Sequence, residues 1–477
     1  MRLLIDLQGL QNGSRNRGIG RYVTSLTRGI LRHRQKHEVR FLLNNLLPET
    51  LDDVISSFGD MVTRDQFVIF DGIGPTGAID KTNLWRSAVS HELYEKFVAD
   101  LNPDILLIGS LFEGGSDNTV VTVSEGPRGY LVAAILYDLI PLLNPHEYIG
   151  SKDAKRWYFG KVEKARRADL LLGISASACR EAIEHLPSDR QKVIEIGAAA
   201  SEEFTTGSGV TTDPRQDPSG VLAYYGITKP FIMHTSAYDR RKNFSGLVRA
   251  YALLPDDARR AHQLVLVCKL STHARLELLD VISQAGLNDE DVVLTGFVPD
   301  DELRILYAQC ALFVFPSFHE GFGLPVVEAM WCGAPAIGSN LSSVPEVIGR
   351  EDALFDPYDP SDMARQIHRA LTDIEFRQAL LGHAARHART FNWDDVALRA
   401  LEAMETRRMT ISGKRPTESF RYFDIHEVIA RIAQAGSSMA STDKELMRVA
   451  QAMEANELVR WPTPEDANSG ISKTSSP

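Results

Sequence analysis

The sequence predicts an α/β protein of two tandem, doubly wound domains facing a cleft, with a helical extension at the end of the chain. Three observations predict it. Short, continuously apolar runs alternate with amphipathic stretches, the pattern of parallel strands buried between two layers of helices. That alternation breaks over residues 198–226, AAASEEFTTGSGVTTDPRQDPSGVLAYYG, which are rich in Gly, Ser, Thr and Pro, and then restarts. A chain of 477 residues is also too long for one compact core.

The first half supplies strands in RLLID (2–6), VRFLL (39–43), FVIF (67–70), DILLI (104–108), AAILYD (133–138), LLLGIS (170–175) and KVIEIG (192–197). Between them GRYVTSLTRGILRH, WRSAVSHELYEKFVAD and SASACREAIEHL carry apolar residues at helical spacing. The loop after the first strand, IDLQGLQNGSRNRGIGRY, holds Gly18 and Gly20 but is no dinucleotide fingerprint. Its third glycine position is Val23, and the second strand closes on Asn44 and Asn45 rather than an acid. GSLFEGGSDN (109–118) follows the fourth strand, so Glu113 is a candidate for binding hydroxyls. The segment SKDAKRWYFGKVEKARRAD (151–169) interleaves cations with Trp157, Tyr158 and Phe159, either a helix packing its aromatic face on the core or one that touches an anionic membrane surface.

In the second half the strands are FIMHTS (231–236), LVLVC (264–268), VVLTGF (292–297), ALFVFPS (311–317) and APAIGSN (334–340), with helices in NFSGLVRAYALL, DDELRILYAQC and PVVEAMWC. The chain thus divides into 1–200, 201–390, a helix at 391–410 and a segment 411–477. The last reads as short amphipathic helices, or a linker, ending in the polar tail PTPEDANSGISKTSSP.

The stretch PSFHEGFGLPVVEAMWCGAPAIGSN (316–340) carries the most chemistry. Pro325 suits the first position of a helix, which places Glu320 in the preceding loop and Glu328 in the first turn. Both then face the crevice beyond the strand ends, where open α/β sheets bind ligands. Gly321 and Gly323 let the backbone approach a ligand closely, and the free N–H groups of the helix start favour an anion such as phosphate. A carboxylate accepts two hydrogen bonds from a vicinal diol, so Glu328 suits a ribose and Glu320 a sugar ring. The pattern fits a sugar carried on a nucleoside diphosphate.

This segment closely resembles the signature of the retaining glycosyltransferases of family 4, which have the two-domain GT-B fold: two glutamates eight residues apart, here Glu320 and Glu328, with Gly321, Phe322, Gly323, Leu324 and Pro325 after the first. The resemblance implies that Glu320 holds donor-sugar hydroxyls, that Glu328 holds the ribose, and that backbone amides from Phe322 to Leu324 contact sugar and phosphate. RRKN (240–243) resembles the family's basic diphosphate clamp, in which Lys242 stabilises the leaving group. The arginine often found six residues before that lysine is Ser236 here, so Arg240 or Arg241 substitutes. LTGFVPDDELRILYAQC (294–310) resembles the base-holding segment, with Phe297 and Val298 nearest the base. SSVPEVIG (342–349) and FNWDDVALRALEAM (391–404) resemble its closing elements. Gly20 and Arg21 lie in a loop that crosses the cleft from the donor, Arg21 and Glu113 being the acceptor-side candidates. Where many members carry His-Asp, this chain has Tyr137-Asp138, which the resemblance places near the reacting centre with Glu320 and Lys242. IDLQGLQ…SRNRGIGRY and the YDLIP variant look most like bacterial mannosyltransferases of lipopolysaccharide O-antigen or related polysaccharide synthesis. GDP-mannose is then the expected donor, with a UDP- or ADP-sugar, or a non-catalytic sugar- or nucleotide-binding relative in a biosynthetic complex, as the alternatives.

The formal charge of −11 argues against a nucleic-acid partner, which needs a basic surface. Expected partners are the nucleotide sugar, an oligosaccharide or lipid-linked glycan acceptor, and peripheral contact with the inner membrane or other polysaccharide enzymes. Cys179, Cys268, Cys310 and Cys332 sit in apolar contexts without metal or disulfide spacing. The opening MRLLIDLQGLQNG lacks signal-peptide features and no run of eighteen apolar residues occurs, so a cytoplasmic location, peripheral at the membrane, is expected. No cofactor or metal is expected. The D-x-D match at Asp289–Asp291 precedes a strand in a surface turn, and His146 and His319 carry no ligand spacing.

Overall fold

The structure is a computed structural model that describes residues 1–126, 128–186, 190–205 and 217–412. Most of the expected extension, beyond Ser412, lies outside the described residues, as does much of the 198–226 break. Seven parallel strands form the first sheet: β1 (Arg2–Asp6), β2 (Glu38–Asn44), β3 (Phe67–Phe70), β4 (Ile105–Ile108), β5 (Leu131–Leu136), β6 (Leu170–Gly173) and β7 (Val193–Glu195). They are ordered β3-β2-β1-β4-β5-β6-β7. The second sheet has β8 (Phe231–Thr235), β9 (Gln263–Val267), β10 (Val292–Leu294), β11 (Leu312–Phe315), β12 (Ala336–Ser339) and the two-residue β13 (Leu354–Phe355), ordered β10-β9-β8-β11-β12-β13. This is the two-domain, doubly wound GT-B architecture.

Each sheet is buried on both faces, as the continuous apolar runs require; β4, β5, β6, β8, β9 and β11 have no exposed or half-buried residue. The order reverses between β1 and β4 in the first sheet and between β8 and β11 in the second. At such a reversal neighbouring loops leave in opposite directions and open a crevice. In the second sheet those loops are 236–243 and 316–323, which carry Lys242 and Glu320. In the first they run from Leu7 and from Gly109, and there the crevice is filled by buried amides: Gln8 donates to Val120 O at 2.7 Å, and Asn44 donates to Gln8 Oε1 at 2.8 Å.

The helix Trp393–Ser412 leaves the second sheet and packs on the helix Gly18–Arg32 of the first. Gly29 permits that crossing, since a Cβ there would meet the Trp393 carbonyl oxygen at 2.8 Å. The basic segment forms the helix Lys152–Arg167. Its Lys161 turns inward to donate to Val121 O at 2.8 Å, and Lys164 to Thr122 Oγ1 at 2.7 Å. Burial lowers Lys161 to about 7 and Lys164 to about 8. These two cations are therefore withdrawn from the face that a membrane contact needs. Among the described residues no helix is long and apolar enough to cross a membrane.

Candidate functional site

Glu320 is the centre of the second domain's crevice. Its carboxylate is buried and accepts from Lys242 Nζ at 2.6 and 2.7 Å and from Arg241 Nη1 at 3.0 Å. Burial alone would raise its pKa; Lys242 and Arg241 outweigh that and hold the carboxyl below its ordinary range, so Glu320 is ionised. The basic turn is rigid for local reasons. Asp239 accepts the Arg241 N–H at 3.0 Å, and Asn243, at φ 57°, donates to the carbonyls of Pro316 and Pro357. The loop bearing Glu320 is held from below, where Ser342 accepts its N–H at 3.0 Å and Ser343 donates to the carbonyls of Glu320 and Phe322.

After Glu320 the chain must turn sharply into a helix. Gly323 does this at φ 115°, a left-handed conformation that favours glycine, and the helix runs Leu324–Trp331 with Pro325 in its first turn. Glu328 is buried on this helix, accepts from the Tyr307 hydroxyl at 3.1 Å and lies 3.8 Å from Arg21 Nη1. Burial pushes its carboxyl up to about 7, against the pull of Arg21 and the Tyr307 hydroxyl. One site thus holds two buried glutamates shifted in opposite directions, Glu320 downward and Glu328 upward to about 7.

The first domain closes over this site. The Ser175 hydroxyl donates to Gly321 O at 2.6 Å, and Glu346 accepts the N–H groups of Ala176 and Ser177 at 2.9 and 3.1 Å. Gly321 packs against the Tyr137 carbonyl so tightly that a Cβ would lie 2.4 Å from its oxygen and 3.3 Å from Asp138 Cβ. Asp138 is thereby brought to the loop that carries Glu320; burial raises its pKa, while its Oδ1 accepts the Ile140 N–H at 3.0 Å. Tyr148 donates to Asp239 at 2.9 Å, and His319 Nε2 meets Glu181 Oε1 at 2.6 Å.

Several expectations need correction. Arg240 points to solvent, its side chain 87% exposed and 3.9 Å from Glu147, because the tight turn at 240–242 sends Arg241 and Lys242 inward instead. Glu113 is buried and spent on the loops, accepting from Ser110 Oγ at 2.8 Å and Asn12 Nδ2 at 2.9 Å, so it is not presented to an acceptor. Arg21 is engaged across the cleft: its Nη2 donates to both oxygens of Asp300 at 2.8 Å, and its Nη1 lies 3.8 Å from Glu328. The Tyr137 hydroxyl is already engaged, donating to Gly109 O at 2.8 Å with its ring edge-on to Tyr22. Gly20 is required by the chain itself, since a Cβ would lie 2.3 Å from Arg15 O. The Phe322 ring packs edge-on against Phe391 at 5.7 Å, which does not conflict with the expectation placed on its backbone. Of the base-segment pair Val298 is buried and Phe297 is 73% exposed, an open aromatic face beside Asp300 in sequence.

Sequence reasoning missed Tyr307, Asp300, Ser175, Glu181 and His319. Only His319 had a signal, its place directly before Glu320; the others are joined to the site by folding alone. A cavity of about 400 Å³ between the first sheet's edge and the helix Trp393–Ser412, bordered by Ile194, Glu195, Arg399 and Glu402, shares no residue with this cluster.

Residues 226–387 match the family model described as glycosyl transferases group 1. Over 403 residues the chain is 36% identical to the serotype-specific mannosyltransferase WbdA of Escherichia coli, covering 84% of this chain and 48% of that protein. It is 31% identical over 292 residues to the O-antigen chain mannosyltransferase B of the same organism, covering 59% of this chain and 73% of that one. The chain spans about half the length of the WbdA relatives it matches. Among solved structures, Anabaena Alr3699/HepE in complex with UDP and glucose is similar at 18% identity and TM-score 0.59, over 85% of this chain and 100% of that one. Sucrose-phosphate synthase (tll1590) from Thermosynechococcus elongatus is similar at 18% identity and TM-score 0.62, over 86% and 100%. These two likenesses show the fold alone.

Proposed function

This chain belongs to the group 1 glycosyl transferases, and on that premise we propose that it transfers mannose from GDP-mannose, with retention, to a hydroxyl of a glycan acceptor in O-antigen or related polysaccharide synthesis. The observation that carries the reading is the pair of buried glutamates on one loop and helix, the first held by Arg241 and Lys242 within 3.0 Å. The two E. coli mannosyltransferases support the choice of sugar. In this reading the ribose diol donates to Glu328 and the sugar hydroxyls to Glu320. Lys242 and Arg241 meet the charge that develops on the departing diphosphate, a role a metal would otherwise fill, so none is required. The C1–phosphate oxygen bond breaks, the acceptor oxygen bonds C1 from the same face, and the acceptor proton passes to the leaving phosphate. Asp138, brought to the sugar loop by the close Tyr137–Gly321 packing, borders the acceptor side.

Calorimetric titration with GDP, UDP and ADP, with and without a chelator, tests the assignment. Selective GDP binding unaffected by the chelator is expected. UDP or ADP selectivity would retain the enzyme class and remove mannose, and binding of none would remove the donor site.

Glu328 adds a pH dependence. A diol donates best to a carboxylate, and Glu328 must lose its proton to accept fully. Below its folded value of about 7 nucleotide affinity is therefore expected to fall, approaching about tenfold per pH unit. Glu328→Ala should weaken nucleotide binding and flatten this profile. The same shift has a stability sign: the folded state binds the extra proton between 4.5 and about 7, so this group's contribution decreases as pH rises through that window. Titrations from pH 5.5 to 8.5 in buffers of differing ionisation enthalpy check the proton release. A wild-type profile as flat as the variant's would take Glu328 out of the ribose site.

A further inference from the structure

Two side chains on opposite domains, to which the proposed function gives no role, meet across the cleft. His319 precedes Glu320 in the sugar loop, and Glu181 lies on the first domain's helix Ala176–His185. Their Nε2–Oε1 separation is 2.6 Å, with side chains only 18% and 12% exposed, so the bond is shielded from water. Each partner is also tied to a group that matters. Glu181 Oε2 accepts the backbone N–H of Leu139, the residue after Asp138, at 3.2 Å. The His319 carbonyl accepts from Arg241 Nη1 at 3.0 Å, and the same nitrogen holds Glu320. The Asp138 loop is therefore linked to Glu181 and through it to the His319 ring, and the backbone of His319 in turn to Arg241 and Glu320.

We propose that His319 and Glu181 are a positioning pair that joins the two domains and sets the Asp138 loop against the sugar site. The inference rests on the reading of Glu320 as the sugar-binding carboxylate. The loop's own folding does not call for a histidine here, because its backbone is held by Ser342, Ser343 and Arg241 whatever side chain follows Phe318. An imidazole is needed only to reach Glu181. That carboxylate in turn fixes a loop whose contact with Gly321 leaves no spare room. Displacing such an alignment by about 1 Å costs on the order of 100-fold in rate without touching the reacting groups.

The test compares His319→Ala, Glu181→Ala, the double variant and His319→Gln, whose carboxamide still offers an N–H to Glu181. Each is measured for nucleotide affinity, kcat and KM, and amide exchange over residues 137–140. His319→Ala is expected to lower kcat about 100-fold while nucleotide affinity, held within the second domain, stays near wild type. Exchange over 137–140 should quicken in both single alanine variants. The double variant should be no worse than either single, and His319→Gln should recover most of the rate. An unchanged kcat, additive losses, or a glutamine variant no better than alanine would overturn the proposal. If the wild type bound no nucleotide, the functional reading would fail separately. Exchange would then decide alone: equal quickening in the two single variants supports the pair, and unaltered protection at 137–140 sinks it.

Discussion

Lys242→Ala is expected to destabilise the protein by about 3 kcal/mol, the low end for breaking a buried ion pair, and to lower transfer about 100- to 1,000-fold. The stability loss comes from what remains. Glu320 would stay buried and ionised with Arg241 as its cationic neighbour, and an under-compensated buried carboxylate costs more than the pair ever contributes. Lys242→Met with Glu320→Gln should therefore recover most of the stability, by removing both charges, but none of the activity. Chemical denaturation of the wild type, Lys242→Met, Glu320→Gln and the double variant gives the coupling; a double variant no more stable than Lys242→Met would contradict the ion-pair account. Acid sharpens the test. The Glu320 pKa is depressed on folding, so its contribution is complete above the ordinary carboxylate range and is lost only as pH falls through the lower, folded value. The rate loss has a separate origin in the proposed mechanism: the cation assigned to the leaving phosphate is gone even where the fold survives.

The elements that the sequence made legible are those whose chemistry is local. Every strand expected from a continuous apolar run is present, because a parallel strand buried on both faces leaves that run as its mark. The two-residue β13 left none. The helix start at Gly323–Leu324 was readable within one residue, since a left-handed glycine and a first-turn proline are direct backbone requirements. Side-chain direction was not readable. Arg240 and Arg241 are neighbours of the same type, and only the turn at 240–242 decides that one faces solvent and the other Glu320. Glu113 looked available because it sits in a loop beyond a strand; Asn12 and Ser110, one of them a hundred residues away in sequence, consume it. Likewise Glu181 has no local signature, and its meaning comes from His319 arriving from the other domain.

Trp393→Ala is expected to cost about 3–5 kcal/mol, as for other buried large-to-small aromatic changes, and to loosen the cleft as well as the core. Trp393 begins the last described helix. It is 6% exposed, stacks edge-on against Tyr22 at 5.0 Å and donates its indole N–H to Ala200 O at 2.8 Å. Tyr22 in turn donates to Gly197 O and touches the Tyr137 ring at 5.4 Å. The indole thus connects the chain leaving the second sheet to the first-domain residues that carry the Asp138 loop. Further along, Arg399 donates to Ile196 O and Arg407 to Asp169 O, so the whole helix is fastened to the first domain. Both alanine and phenylalanine would strip the Ala200 carbonyl of its donor, but alanine also leaves a cavity beside Tyr22, whereas Trp393→Phe keeps most of the ring contact and should lose about 1–3 kcal/mol. If the indole sets the domain relationship, Trp393→Ala will lower kcat while nucleotide affinity, which the proposed function assigns to Glu328 and the second sheet, is retained. A variant that loses stability but keeps the wild-type kcat would confine Trp393 to the core and leave the cleft geometry to the contacts made by Ser175, Glu346 and His319.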